Sequence, residues 1–111
     1  MKTIAIPLEN RLLCAHFGHC KEFAIAQIKD NKMKSLTYVT PPPHEPGLLP
    51  GWLAERGVTH VIAGGMGQRA LTLFKQNNIE VCVGAGSKKP EELIQHYLRD
   101  ALETGANLCD H

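Results

Sequence analysis

Cys14-Ala15-His16-Phe17-Gly18-His19-Cys20 places two thiols and two imidazoles within seven residues. Thiolate and imidazole are soft donors that suit zinc, copper and iron–sulfur chemistry. The spacing is not that of a zinc finger, which sets paired Cys and paired His on either side of a core segment. It is better suited to a bulky metal–sulfur cluster with open or exchangeable ligation. If His16 to Lys21 forms one helical turn, His16, His19 and Cys20 share a face. The same residues have a plainer explanation, with Cys14 and Cys20 as small buried residues and the histidines as polar loop groups. Spacing alone does not choose between these.

Two other segments could join such a site. The terminal Asn107-Leu108-Cys109-Asp110-His111 carries a thiol and an imidazole two residues apart. Cys109 and His111 could form a second ligand arm, or simply end a frayed terminus. Gly64-Gly65-Met66-Gly67-Gln68-Arg69 falls where a strand turns into a helix. Glycines admit close backbone approach, free N–H groups at a helix start favour an anion, and Arg69 adds charge. No Gly-Lys-Ser/Thr follows, so the segment is not a P-loop, and it lacks a full dinucleotide fingerprint. A tight strand-to-helix turn explains it equally well.

The remaining candidates are weaker. His44 reads as an exposed loop residue, and His60 and His96 as surface or core-edge residues. Cys82 alternates within a strand and is most simply core. Glu91-Glu92 complements a helix dipole. No Ser/His/Asp or Cys/His catalytic arrangement stands out, which argues against an enzyme.

The elements that must position these residues follow from pattern. Lys2 to Pro7, Phe23 to Lys29 and Met33 to Val39 read as strands, the last two joined at Asp30-Asn31-Lys32. Both faces of the second are apolar, as expected of a strand covered on both sides. Thr40-Pro41-Pro42-Pro43-His44-Glu45-Pro46-Gly47 is a stiff connector. Leu48, Leu49, Trp52 and Leu53 fall at helical spacing, with Pro50 in the first turn and Gly57 as the stop. Val61 to Ala63 is a fourth strand. Ala70, Leu71 and Phe74 mark a helix that ends at Asn77-Asn78, and Ile79 to Val83 a fifth strand. Pro90 opens a last helix faced by Leu93, Ile94, Tyr97, Leu98, Ala101 and Leu102 and stopped by Gly105.

This βββαβαβα pattern implies a three-layer α/β domain over residues 1–111. Right-handed crossovers predict a five-stranded mixed sheet in the order 3-2-1-4-5, with strand 2 antiparallel. Ligands in such sheets bind beyond the carboxyl ends of the parallel strands, where the winding reverses. That point lies between the first and fourth strands, so Leu8 to Glu22 and Gly64 to Gln68 should meet there. The last helix delivers the tail to the opposite edge. Five or six extended residues reach about 18 Å, so the tail could meet its own loop only tightly, and a neighbouring copy's loop is the other option.

Composition narrows the classes. The 111 residues are 43% hydrophobic and 21% charged, with twelve Lys and Arg against eleven Asp and Glu. That balance argues against a nucleic-acid binder and against disorder. No apolar run approaches a membrane span, and no signal peptide is recognisable, so the chain reads as cytoplasmic. Its four cysteines are then better read as thiols, metal ligands or redox groups than as disulfides.

The N-terminal strand, His16-Phe17-Gly18 and Val61-Ile62-Ala63-Gly64-Gly65-Met66-Gly67 together resemble the dinitrogenase iron-molybdenum cofactor family. These are the NifX-type and NafY-type accessory domains, also found at the end of NifB-type proteins. Pro41 to Pro50 and the Cys109-Asp110-His111 ending resemble small stand-alone members. The resemblance implies a ribonuclease H-like fold without nuclease activity, and His16 as the foremost cluster ligand. It implies a carrier of iron-molybdenum cofactor, of its iron–sulfur precursor, or of a molybdenum–copper cluster, in assembly, storage or delivery. A redox- or metal-sensing module acting on a partner such as an ATPase, and a plain zinc protein, are the alternatives. A cluster donor or acceptor protein is an expected partner, and an oligomer is left open.

Overall fold

Two short turns organise the first half of the chain. Asn10 and Arg11 both have positive φ (55° and 65°), as do Asp30 and Asn31 (53° and 59°). Paired left-handed residues make the two-residue hairpin turn whose twist matches that of the flanking strands. The first turn joins β1 (Lys2–Glu9) to β2 (Leu12–Leu13), and the second joins β3 (Glu22–Lys29) to β4 (Lys32–Val39). The computed structural model describes residues 2–14, 17, 20–42, 48–86 and 88–99.

The second half alternates: α1 (Leu48–Glu55), β5 (His60–Ile62), α2 (Gln68–Gln76), β6 (Glu80–Cys82) and α3 (Pro90–Leu98). Gly57 ends α1 with φ +80°, and its N–H reaches the Ala54 carbonyl while the Val58 N–H reaches Leu53. This paired 6→1 and 5→2 bonding is a Schellman ending, and Val58 and Leu53 close it within one core. Asn78 ends α2 in the same way, at φ 60°, with Ile79 bonded back to Phe74.

The sheet has six strands, in the order β4-β3-β1-β5-β6 with β2 paired to β1. β3 is antiparallel to β1, and β5 is parallel to both β1 and β6. The five-strand expectation lacked β2, which shifts the numbering of every later strand. β1 also does not close at Pro7 but runs to Glu9. The Pro7 carbonyl accepts the Cys14 N–H at 2.9 Å, so the ring nitrogen faces that side too and costs β1 no bond to β3.

Two cores flank the sheet. Phe23, Ile25, Leu49, Leu53, Val61, Met66 and Phe74 fill one face beneath α1 and α2. Ile4, Ile6, Leu8, Ala24, Ala26, Leu93 and Ile94 fill the other beneath α3. β3 therefore buries consecutive residues from Phe23 to Ala26, which explains its weak alternation. The arrangement is three-layered α/β. None of the described helices is long and apolar enough to cross a membrane.

Candidate functional site

β1, β5 and β6 run parallel and end at one edge of the sheet. β2 folds back there, beside β1 and beyond the end of β5. Arg11 at its turn is held outward, with Nε 2.8 Å from a Glu22 carboxylate oxygen and its guanidinium 4.0 Å over the Tyr38 ring. The return leg carries Cys14 onto Pro7, and the Leu13 N–H donates to the Lys88 carbonyl at 3.0 Å. Lys21 then rejoins Leu8 through a 2.8 Å bond. Cys14 and Lys21 are thus both tied to β1 at the point where the sheet reverses its winding.

Phe17 is its anchor. The ring is 5% exposed, edge-on to Phe74 at 5.3 Å and tilted against Phe23 at 5.8 Å. The Phe17 N–H donates to the Gly65 carbonyl at 3.0 Å. The thiol loop and the glycine turn therefore meet at Phe17 and Gly65, at the edge where the strand order predicts it. Gly84 and Ala85 in turn bond to the carbonyls of Gly64 and Ala63.

Cys14 is buried and Cys20 half-buried. The Cys20 thiol is pushed up to about 12, first by burial and then by neighbouring Cys14, with a backbone hydrogen bond opposing. The Cys20 N–H reaches the Phe17 carbonyl at 3.4 Å, a single turn of i→i+3 type. His16 and His19 lie outside the described residues. Among the described residues, no set of three or more His, Cys, Asp and Glu converges on a metal-sized site.

Gly67 caps α2 with extended backbone (φ −67°, ψ 158°), and no side chain caps its N–H groups. The first turn of α2 carries no acid, and Arg69 there is exposed. A Cβ built on Gly67 would meet open space. Gly64 and Gly65 are buried, and the Met66 side chain is wholly enclosed in the core. Gly67 is thus the residue of Gly64 to Gly67 that is not buried, and the Met66 side chain plugs the floor of the turn.

The other candidates lie elsewhere. His60 sits at the opposite edge, 2.7 Å from the Thr59 hydroxyl and 3.2 Å from Glu80. Glu80 favours its charged form, but that carboxylate is 82% exposed and screened, so burial prevails and His60 is held below its usual range. His96 is half-buried on α3. Asn31 donates to the Leu98 carbonyl at 3.2 Å, which places the end of α3 beside the β3–β4 turn, away from the thiol loop. Cys109 and His111, with Ala101, Leu102 and the Gly105 stop, lie outside the described residues, as does His44.

Sequence reasoning missed β2 and the anchoring role of Phe17. Asn10 between Leu8 and Leu12 was the available hairpin signal, but Asn10-Arg11 lacks the glycine that makes such a signal strong.

The sequence profile described as dinitrogenase iron-molybdenum cofactor matches residues 1–100. The chain belongs to that family. An uncharacterized protein of Methanocaldococcus jannaschii is 31% identical over 108 residues, covering 93% of this chain and 91% of that one. The crystal structure of PH0822 superposes with a TM-score of 0.86 at 27% identity, over 92% of this chain and 93% of the other. The apo form of the orange protein from Desulfovibrio gigas shares the fold, with a TM-score of 0.77 at 20% identity, over 96% and 95% of the two chains.

Proposed function

We propose that this chain is a non-catalytic carrier of an anionic metal–sulfur cluster, with residues 1–111 acting as one domain. The cargo is iron-molybdenum cofactor, an iron–sulfur precursor or a molybdenum–copper cluster. One observation carries the reading. The Phe17–Gly65 bond puts a loop with two thiols against a helix start whose N–H groups no side chain caps. Cys14, Cys20, His16 and His19 would supply donors to the metals. The backbone from Gly64 to Gly67 with Arg69 would offset the cluster's charge. Cys109 and His111 would serve as an outer arm, from the same or a neighbouring copy.

The residues suit such a cargo. Soft sulfur and nitrogen donors match the metals, and a Cβ at Gly67 would meet open space. Cys20, held as a thiol, must lose its proton to ligate, so loading releases protons. Membership in the dinitrogenase iron-molybdenum cofactor family and the fold shared with the apo form of the orange protein support a cofactor-handling role. A ribonuclease H-like architecture without nuclease activity belongs to the same reading. A cytoplasmic site of action and a cluster donor or acceptor partner belong to the same reading.

A second reading rests on two thiols, buried Cys14 and half-buried Cys20, brought to the same edge of the sheet. Two neighbouring thiols could sense redox state or metal and report to a partner such as an ATPase. Anaerobic reconstitution with iron, molybdate or copper, and sulfide decides between them. The carrier reading expects visible charge-transfer bands, bound metal with sulfide, and loss of both in the His16→Ala, Cys20→Ala double variant. Colourless stoichiometric zinc would replace it with a zinc site. Absence of any cluster would leave the sensing module, and undiminished loading of the double variant would remove His16 and Cys20 from the ligand set.

A further inference from the structure

At the edge opposite the thiol loop, two adjoining depressions of about 370 Å³ and about 140 Å³ flank the end of α3. They share Asn31 and Leu98. Among the described residues their rims carry Lys2, Lys29, Lys32 and Arg99, all exposed, against one carboxylate, that of Asp30. This local excess of three positive charges sits in a chain whose total is only +1. Among the described residues the ion pairs are Arg11–Glu22 and His60–Glu80, so none of these four cations is neutralised there.

The floor is of different chemistry. Ile28 is buried, and Met33 and Leu98 are half-buried. A bare phosphate would use the rim and leave that floor unmatched. A flat polyanion such as a nucleic acid would do the same. A peptide that carries carboxylates around an aliphatic side chain would match both. Lysines on a solvated rim steer such a partner, while the apolar floor supplies contact once water is excluded.

We propose that this basic-rimmed groove between the β3–β4 turn and the end of α3 docks an acidic, leucine-bearing segment of a partner protein. The inference does not depend on the cluster reading. It puts the partner at one edge of the sheet and leaves the thiol loop, at the other edge, uncovered.

The test is an NMR titration of the full chain with a short synthetic peptide in which one leucine is flanked by glutamates. Amide shifts are expected at Asn31, Met33, Leu98 and Arg99, and not at Cys14, Phe17 or Gly65. Lys32→Glu with Arg99→Glu should weaken binding roughly tenfold or more, and Lys32→Gln with Arg99→Gln should weaken it less. Circular dichroism should show both variants folded. Equal binding of a peptide with serine in place of the leucine would overturn the proposal in favour of a polyanion site. So would competition by inorganic phosphate. Tighter peptide binding after Asp100→Asn, Glu103→Gln and Asp110→Asn would overturn it too, by showing that the chain's own acidic residues compete for the groove. Undiminished cluster loading of the Lys32 and Arg99 variants would keep this result separate from the carrier reading.

Discussion

The amide of Phe17 and the carbonyl of Gly65 meet at 3.0 Å, while the Phe17 ring packs edge-on to Phe74 of α2. Phe17 thus cannot shift without disturbing the turn before α2 and the Phe74 side of that helix. Backbone bond and ring contact fasten the same two segments in two ways.

Phe17→Ala should remove both ring contacts and leave a cavity beside Phe23. The expected cost is about 3–5 kcal/mol for a buried phenylalanine. A fall in melting temperature on the order of 10 °C or more follows for a domain of this size. Differential scanning calorimetry measures it. Phe17→Leu should lose markedly less, and if it loses as much, the aromatic pairing is more important than volume.

Gly67→Ser should move stability and cargo binding in opposite directions. The serine hydroxyl can cap the free N–H groups of α2, and its Cβ meets open space, so stability should hold or rise by a few tenths of a kcal/mol. The same hydroxyl occupies donors that an anion would use. Metal analysis after reconstitution should therefore show reduced loading in a fully folded variant. Equal loading would remove the α2 N-terminus from the site.

Cys20, pushed up to about 12, and Cys82, also raised by burial, should both be thiols at neutral pH. Iodoacetamide labelling of the native apoprotein at pH 8 should be slow at both positions and fast after denaturation. Mass spectrometry of the peptides reads the two sites separately. Rapid native labelling of Cys20 would contradict its burial.

His60 should make stability fall as the solution is acidified. Burial lowers its folded pKa, assisted by Lys2 and opposed by Glu80. The unfolded chain then binds the proton more readily. The stability contribution is present above the ordinary histidine value of about 6.5 and is lost as pH falls below it. Urea midpoints at pH 8 and pH 5 should differ more for the wild type than for His60→Asn. Identical differences would assign the acid sensitivity to other groups.

Much of this arrangement was legible because it rests on strong local signals. Asp30-Asn31 marks a hairpin, Gly57 and Asn78 end helices in the left-handed conformation, and β3 shows its double burial as an unbroken apolar run. The meeting of the thiol loop with Gly64 to Gly67 followed from handedness and strand ends. β2 was not legible, because two leucines carry no periodicity and Arg11 is an unusual residue at positive φ. The enclosure of Met66 was hidden for another reason. In a glycine-rich turn, sequence does not say whether the one large side chain faces the ligand or the core.

Cys14, Phe17 and Lys21 are each held by a main-chain bond, to Pro7, Gly65 and Leu8. Two of these three tethers ask nothing of the side chain that carries them. On the carrier reading, the scaffold can therefore keep these tethers while half-buried Cys20 is exchanged for an imidazole or a carboxylate. Substitution there should retune which cargo is preferred without a new fold being needed. On that reading the segment is a socket with replaceable contacts, and any divergence in cargo should map onto it before it touches the sheet.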